Sequence, residues 1–328
     1  MIIVTGGAGF IGSNLVAGLE ESGYGPLVVC DKAGAGDNGK TIAKRKLEAV
    51  IEPDALFPFL EAYRSDMQAI FHMGAISSTM ETDASLFADN NYRLSLDLWH
   101  WCARHSVRFI YASSAATYGD GALGFDDDSA KQALAALRPL NLYGRSKHLF
   151  DRRVTAMLAK GVAQPPQWAG LKFFNVYGPN EYHKGNQKSV IATAYPVAAA
   201  GQPVRLFKSH HPDYADGGQL RDFVWVGDCV DVMLWLLRHE EASGLFNVGT
   251  GKARSFEDLA KALFVALGRT PEIEYIDMPE SIRERYQYFT EARMARLRAA
   301  GFSQRPTSLE DGVASYVHDY LNQEDPYR

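Results

Sequence analysis

A tyrosine and a lysine four positions apart form the first pair in this sequence that can do acid–base chemistry. They are Tyr143 and Lys147, within the segment YGRSK. Residues four apart share one face of a helix, and a lysine ammonium beside a tyrosine hydroxyl favours the phenolate and lowers the tyrosine pKa. Such a tyrosine can exchange a proton with a reacting hydroxyl group. We therefore predict that both residues are catalytic.

A serine that can hold the reacting oxygen lies upstream of this pair. Ser113 and Ser114 end a predicted strand and are followed by AATYG. A serine hydroxyl there can hydrogen-bond the oxygen that exchanges its proton with the tyrosine. Of the two serines, we predict that Ser114 is the catalytic one.

Glycines follow the first apolar run of the chain. Residues 5–12 read TGGAGFIG, which satisfies GxGxxG from Gly7, Gly9 and Gly12, and a wider spacing from Gly6, Gly9 and Gly12. The segment lies between a predicted strand and a predicted helix, which is the context that this motif requires. Glycines allow the tight turn and let a pyrophosphate approach the helix N-terminus. The loop therefore predicts a dinucleotide site.

Charged residues after the second predicted strand bear on which dinucleotide binds. Asp31 stands where a carboxylate can bond a ribose 2′-hydroxyl, which favours NAD and would repel a 2′-phosphate. Lys32 and Lys40 follow and can offset that repulsion, or they can be ordinary solvated surface charges. The residues themselves leave the choice between NAD and NADP open.

The elements that must position these residues alternate between strand and helix. Predicted strands cover Ile2–Thr5, Leu27–Cys30, Ala69–His72, Arg108–Ala112 and Leu171–Asn175. Predicted helices cover Phe10–Glu21, Leu86–His105 and Tyr143–Lys160, and the proline-containing stretch Gly161–Gly170 is predicted to be a loop. This alternation predicts an α/β fold, a Rossmann-type doubly wound parallel sheet.

The pattern becomes irregular after Asn175, which indicates a smaller α/β substrate-binding domain. Phe246–Gly249 resembles a strand that returns to the sheet, and Ser255 is predicted to begin a helix with Glu257 and Asp258 in its first turn. We expect residues 1–175 and roughly 222–254 to form the dinucleotide-binding domain. Residues from roughly 176–221 and 255–328 would form the substrate-binding domain.

Composition excludes several other classes of protein. The chain has 328 residues, 46% hydrophobic and 22% charged, with a formal net charge of −5, so no basic surface suggests nucleic acid. No apolar run is long enough for a membrane span and no signal-peptide pattern is present, which predicts a cytoplasmic protein. The three cysteines are predicted to be free buried thiols. His210, His211 and Asp213 lie in a predicted loop, and we expect no metal there.

The motifs together resemble a known family. TGGAGFIG, SSAATYG, YGRSK, FFNVYGP, RDFVWVGD and FNVGTG are similar to segments of the extended short-chain dehydrogenases that act on nucleotide sugars, almost from end to end. Within that family, the chain most closely resembles the ADP-glycero-manno-heptose 6-epimerases. The relevant segments are YASSAATYG, DNNY at Asp89–Tyr92, NVYGPNEYHKG at Asn175–Gly185 and RYQYFT at Arg285–Thr290, of which HKG is the most specific.

This resemblance implies a reaction. Bound NADP, or else NAD, would oxidise the C6″ alcohol of ADP-D-glycero-β-D-manno-heptose to a ketone, and the ketone would be reduced on its other face. The L-glycero product would supply heptose for the lipopolysaccharide inner core. Two acid–base groups are then needed, and the resemblance assigns these roles to Tyr143 and Lys184. It also implies a homo-oligomer.

The resemblance extends to binding residues. The cofactor would contact Gly6, Gly9, Phe10, Ile11, Gly12, Asp31, Lys32, Lys40, Met73, Gly74, Ala75, Ile76, Ser77, Asn90, Lys147, Val176 and Lys184. ADP-heptose would contact Ser114, Asn175, Asn186, Phe207, Lys208, Ser209, His210, Arg221 and Tyr286. The chain departs from the family pattern at Met73, Asn186 and Thr193, and residues from His210 to Gln219 look inserted.

Other enzymes of the family remain to be weighed. A 4,6-dehydratase typically has an Asp-Glu pair where this chain has Ala115 and Ala116, which cannot do acid–base work. A UDP-hexose 4-epimerase keeps the same serine, tyrosine and lysine, so it stays open as an alternative. A non-catalytic dinucleotide-binding protein would not need Ser114, Tyr143 and Lys147 together.

Overall fold

The computed structural model describes residues 1–32, 37–283 and 286–328, without the side chains of residues 37, 38, 186 and 281. The strands are β1 Ile2–Thr5, β2 Leu27–Cys30, β3 Ala49–Ile51, β4 Ala69–His72, β5 Arg108–Ser114, β6 Trp168–Phe173, β7 Asn175–Tyr177, β8 Val204–Phe207, β9 Leu220–Arg221, β10 Phe223–Trp225, β11 Gly244–Val248, β12 Arg254–Ser255 and β13 Ile273–Ile276. The α-helices are α1 Phe10–Glu21, α2 Asp37–Lys40, α3 Leu56–Ala62, α4 Ala84–Phe87, α5 Leu94–His105, α6 Lys131–Ala136, α7 Leu142–Ala159, α8 Val190–Ala199, α9 Val226–Arg238, α10 Phe256–Ala266, α11 Glu280–Arg283, α12 Ala295–Ala299 and α13 Leu309–Ser315.

Seven strands form one parallel sheet in the order β11-β6-β5-β4-β1-β2-β3. β1 lies between β2 and β4, with Val4 opposite both Val29 and Phe71. The chain builds outward from β1 in one direction and then returns to build in the other. In such sheets a crevice for ligands opens at the carboxyl ends of the strands where the direction changes. The predicted Rossmann-type fold is confirmed.

Two hydrophobic cores cover the two faces of this sheet. Side chains alternate between the faces of a strand, so Val4 lies in one core and Ile3 in the other. Helices α1 and α9 pack on the first face, and α3, α5 and α7 pack on the second. Both faces are therefore shielded, as a parallel sheet of apolar strands requires.

A third core belongs to a smaller lobe. Residues of α8, α10 and α13 pack there with the parallel strand pair β8 and β13, and Ile191, Leu263 and Val313 are fully buried. The domain division proposed from the sequence stays a prediction. Leu297 and Phe302, which that division assigns to the smaller lobe, pack in the first core of the large sheet.

The element boundaries agree closely with the sequence pattern, with three main differences. The strand predicted to reach Asn175 ends at Phe173, and Asn175 begins β7. Strand β6 begins at Trp168, inside the stretch predicted to be a loop, because Trp168 and Ala169 are buried beside β5 and β11. The helix predicted from Leu86 to His105 is divided by a π-helical turn, Ala88–Arg93.

The three cysteines are buried and unbonded, as predicted. Across the described ranges, no helix has both the length and the apolar character to cross a membrane.

Candidate active site

A cleft of about 930 Å³ opens at the carboxyl ends of β1, β4 and β5. Its lining includes most residues that we predicted to contact a cofactor, together with all four predicted catalytic residues. They are Gly6, Gly9, Phe10, Ile11, Gly12, Asp31, Met73, Gly74, Ala75, Ile76, Ser77, Ser114, Tyr143, Lys147, Val176 and Lys184. The sequence motifs therefore meet in one place.

The glycine loop forms a cradle that side chains would fill. Gly6 has φ 65°, in the left-handed region that favours glycine. A Cβ on Gly12 would collide with the Gly6 carbonyl oxygen. Helix α1 begins after Gly9, which offers no side-chain cap, and its first turn has no acidic residue. The open N-terminus suits a pyrophosphate, so these residues fit a dinucleotide.

Asp31 holds the backbone of this cradle. Its carboxylate accepts hydrogen bonds from the Ala8 and Lys32 backbone N–H groups at 2.9 and 2.8 Å. Lys32 is exposed, and the Lys40 Nζ atom lies 6.0 Å from the Tyr327 ring centroid. Neither lysine lines the cleft in the described part of the chain.

The loop after β4 is held by an asparagine that the sequence analysis did not select. Asn91 is fully buried, accepts a hydrogen bond from Ile76 N and donates to Ile76 O and Ser146 Oγ. The predicted residue, Asn90, is exposed and donates to Leu86 O in its own helix. The structure does not bring Asn90 into the cleft, because the π-helical turn directs its neighbour inward.

Ser114 and Tyr143 lie together in the cleft, while the electrostatics of the tyrosine differ from the prediction. Ser114 lines the cleft and hydrogen-bonds Tyr143, and α7 begins with its cap Asn141 bonding Gly144 N. Burial raises the pKa of Tyr143, although the Ser114 hydrogen bond opposes this. The prediction that Lys147 lowers the tyrosine pKa is therefore wrong here, since burial raises that pKa and the charge of Asp151 adds to the increase. Burial also lowers the pKa of Lys147 to about 8, against the opposing charge of Asp151.

Ser113 has a structural role, which explains the choice between the two serines. Its hydroxyl donates to Asp151 Oδ2 at 2.7 Å, and Tyr111 donates to Asp151 Oδ1 at 2.9 Å. The Lys172 Nζ atom lies 3.0 Å from the same carboxylate, and both charged side chains are 0% exposed. Asp151 and Lys172 thus form a buried ion pair between α7 and the sheet, which sequence reasoning missed.

Lys184 reaches the cleft from the smaller lobe. It lies in the 3-10 segment Tyr182–Gln187, half-buried, with its Nζ atom 5.0 Å from the ring centroid of Phe10 in the glycine loop. Burial lowers the pKa of Lys184, and the charge of Glu181 opposes this shift. The side chain of Asn186, a predicted substrate contact, lies outside the described residues.

A second cavity of about 820 Å³ adjoins the cleft, since Lys188, Val190 and Phe256 line both. Phe207 and Tyr286 line it as predicted. The Arg221 guanidinium is buried 5.6 and 5.3 Å from the ring centroids of Phe256 and Tyr286, and it lines neither cavity in the described part of the chain. Asn175 lines the first cleft.

Three predicted substrate contacts lie at the rim of this region. Lys208 pairs with Asp277 at 3.4 Å, the Ser209 hydroxyl donates to His211 O, and His210 is exposed. None of the three lines either cavity in the described part of the chain. Their proposed contacts with substrate stay a prediction.

The segment that looks inserted is a folded turn. Ser209 N donates to Asp216, and the Tyr214 ring lies 5.1 Å from that of Tyr288. The His211 Nδ1 atom is 3.8 Å from Asp213. Among the described residues, no group of three His, Cys, Asp or Glu side chains could hold a metal ion.

Three residues that act on this site escaped the sequence analysis: Asn91, Asp151 and Glu181. Asn91 lies within the quoted DNNY segment, and Glu181 lies within NVYGPNEYHKG. Asp151 follows Lys147 by four positions on α7, so helical spacing was a signal for it.

Comparisons with known proteins define the class. The model of the NAD dependent epimerase/dehydratase family matches residues 2–249, and the chain belongs to this family. More particularly, it is 50% identical to a Nitratidesulfovibrio vulgaris protein named ADP-L-glycero-D-manno-heptose-6-epimerase, over 100% of both chains.

Solved structures agree with this class. The crystal structure of the Helicobacter pylori ADP-L-glycero-D-manno-heptose-6-epimerase is 28% identical, with a TM-score of 0.76 over 96% of this chain and 94% of that one. A Thermus thermophilus UDP-glucose 4-epimerase in complex with NAD is 25% identical, with a TM-score of 0.73 over 96% and 97%. The latter was solved with the kind of dinucleotide that the glycine loop fits.

Proposed function

We propose that this protein interconverts the C6″ epimers of ADP-glycero-β-D-manno-heptose by oxidation and re-reduction at that carbon. The observation that carries the proposal is the meeting of two proton carriers in one cleft. Tyr143 comes from α7 of the large sheet, and Lys184 comes from the segment that leads into the smaller lobe. Two proton carriers in one cleft can serve the two faces of the reacting carbon, one carrier for each epimer.

The protonation states of the two residues suit complementary tasks. Burial keeps Tyr143 protonated, so its Oη atom can give a proton to the C6″ oxygen during reduction, and the phenolate that this leaves can take the proton back when that epimer is oxidised. Burial lowers the pKa of Lys184, which makes a neutral amine available to take the alcohol proton during oxidation. When bound, the nicotinamide supplies the hydride acceptor for the oxidation and returns the hydride in the reduction.

The second cavity is suited to the nucleotide part of the substrate. Arg221 can offer its planar guanidinium to a diphosphate, which binds arginine through paired hydrogen bonds. Its guanidinium lies beside this cavity, 5.6 and 5.3 Å from the ring centroids of Phe256 and Tyr286, which line it. Ser114, hydrogen-bonded to Tyr143, can hold the reacting oxygen.

The proposal is tested by incubating the purified protein with ADP-D-glycero-D-manno-heptose and resolving the C6″ epimers by NMR. We expect an approach to an epimer mixture. Lys184→Met and Tyr143→Phe should each slow it by about 10²-fold or more, the usual contribution of acid–base groups. Lys160→Met, the same change at an exposed site after α7, should leave the rate unchanged.

Two results would contradict the proposal. Turnover of a UDP-hexose at C4 without turnover of ADP-heptose would instead make the protein a 4-epimerase. Wild-type epimerisation by folded Lys184→Met would show that Tyr143 alone is enough.

We further propose that NADP is the preferred dinucleotide. Lys32 and Lys40 follow Asp31 in the sequence, so their charges can offset its repulsion of a 2′-phosphate. The Lys32→Ala/Lys40→Ala double variant should lose more affinity for NADP than for NAD, as measured by titration of cofactor-free protein. Equal losses for both dinucleotides would mean that these lysines do not recognise the phosphate.

A further inference from the structure

Glu181 is a carboxylate sealed inside the protein beside the lysine of the cleft. It is 0% exposed, and burying a carboxylate is unfavourable unless hydrogen bonds replace its water. Four donors do so here. Its oxygens accept from Ser189 N at 2.5 Å, Ser189 Oγ at 2.7 Å, Tyr316 Oη at 3.1 Å and Gly178 N at 3.4 Å.

These donors lie on both sides of the segment that carries Lys184. Gly178 follows β7, and Ser189 is the N-cap of α8. By binding both, Glu181 closes residues 182–188 into a loop. Within it, Gly185 has φ 53°, which permits the sharp turn, and Lys184 N donates to Glu181 O at 3.1 Å.

Residues just before the closed loop are also docked on the dinucleotide side of the cleft. The Asn180 side chain donates to Ser13 Oγ and Asn14 donates to Pro179 O, each at 2.9 Å. Both partners on the dinucleotide side belong to α1, whose first residue is Phe10. The position of the Lys184 amine over Phe10 therefore depends on where the loop closes.

The same carboxylate acts on Lys184 electrostatically. Burial lowers the pKa of Lys184, and the charge of Glu181 opposes this shift. Burial raises the pKa of Glu181, and the hydrogen bonds from Ser189 and the charge of Lys184 oppose that shift. Contact geometry and charge thus connect one buried acid to one cleft lysine.

We propose that Glu181 is a positioning residue for Lys184, because its carboxylate fixes the loop that presents the amine to the reacting carbon. This rests on the proposed role of Lys184 as one of two proton carriers. Each carrier then serves one C6″ epimer, so a fault in the Lys184 loop must impair the oxidation of one epimer selectively.

The experiment measures the oxidation of each purified epimer separately, from the near-ultraviolet absorbance of reduced nicotinamide in holoenzyme during a single turnover. Lys184→Met should slow one epimer by about 10²-fold, and Tyr143→Phe should slow the other. Glu181→Gln keeps the side-chain shape and an acceptor for Ser189 N. It should slow the same epimer as Lys184→Met by about tenfold or more, since small misplacements of reacting groups are costly, with KM unchanged.

Two further variants separate positioning from general stability. Ser189→Ala removes one hydrogen bond to Glu181 and keeps its charge, so it should give a smaller effect on the same epimer. Asp228→Asn is the matched control, because Asp228 accepts from Thr307 N and Oγ1 in the way that Glu181 accepts from Ser189, and it does not line the cleft. It should slow neither epimer.

The outcomes separate the positioning role of Glu181 from the two-carrier function of Tyr143 and Lys184. If Lys184→Met is selective and Glu181→Gln slows both epimers equally, or neither, the positioning role is overturned and the two-carrier function stands. If Lys184→Met itself shows no selectivity, the two-carrier function fails and the positioning role falls with it. If the Glu181→Gln protein does not fold, Ser189→Ala is the deciding variant. It must then slow the same epimer as Lys184→Met.

Discussion

Lys147 lies in a buried position that disfavours the charged form of its side chain. The side chain is 3% exposed, and burial takes its pKa down to about 8, with Asp151 acting in the other direction. His72, which also faces this charge, does not titrate in the same range, because burial lowers its pKa to about 3. Near neutral pH, the charge of Lys147 therefore changes with pH, whereas His72 stays neutral.

This pKa gives a prediction for cofactor binding. Lys147 is protonated below about pH 8 and neutral above it. If its ammonium helps to hold the dinucleotide, the affinity of cofactor-free protein should fall as pH rises through 8. The limit is about tenfold per pH unit, the loss expected for one proton. Isothermal titration at several pH values measures this.

Lys147→Arg is the control for that measurement. Arginine stays protonated throughout the range, so its weaker but charged contact should show no such decline. The measurement runs from roughly pH 7 to pH 10, a range that covers the shifted pKa of Lys147. A wild-type affinity that stays constant over this range would contradict the assigned role.

At the scale of residues, the sequence predicted which side chains line the cleft better than it predicted what surrounds each of them. YxxxK spacing and the strand end located Tyr143, Lys147 and Ser114, because those residues act through local geometry. The tyrosine pKa was predicted in the wrong direction, since burial by distant segments cannot be read from spacing. Glu181 was missed for the same reason: its donors include Tyr316, 135 positions away.

At the scale of elements, helix α7 is fixed to the sheet by one buried charge. Asp151 lies two turns beyond Tyr143 and receives hydrogen bonds from β5, through Tyr111 and Ser113. Lys172 on β6 completes the ion pair. Helix α7, which carries Tyr143 and Lys147, thus cannot shift along the sheet without breaking these contacts.

Asp151→Asn should therefore destabilise the protein strongly. Removing one partner of a buried ion pair leaves the other charge uncompensated, at a cost of about 3–5 kcal/mol. Urea unfolding followed by circular dichroism measures the loss, with the slope of the transition unchanged. Glu274→Gln breaks the Glu274–Arg205 pair, whose side chains are 48% and 68% exposed, and should cost less than about 1 kcal/mol. Similar losses in the two variants would contradict the structural role of Asp151.

Elements with strong periodicity were predicted almost to the residue, and irregular ones were not. The first strand and α1 have the predicted bounds, and Ser255 caps α10 together with Asp258 in a capping box. The π-helical turn Ala88–Arg93 was not predicted, since it adds a residue to a continuous helical pattern without changing composition. That turn places Asn91, rather than Asn90, against the loop after β4.

At the scale of the whole molecule, the large sheet is completed late in the chain. Strand β6 ends at Phe173, and its outer neighbour β11 begins at Gly244. The residues between them contribute β7, α8 and β8 to the smaller lobe, and α9 to the first core. The sheet, the cleft and the smaller lobe are thus built from interleaved parts of one chain.

During synthesis, this order leaves β6 as an unpaired edge until roughly seventy further residues have emerged. Its backbone N–H and C=O groups and its buried side chains then offer a template for pairing with another chain, the hazard that exposed strand edges carry. A fragment ending at residue 238, after α9, keeps that edge open, whereas one ending at residue 254 covers it with β11. Both lack the same later helices, so light scattering should show larger assemblies for the shorter fragment at equal concentration. Equal scattering would mean that other exposed surfaces, and not the β6 edge, govern self-association of the nascent chain.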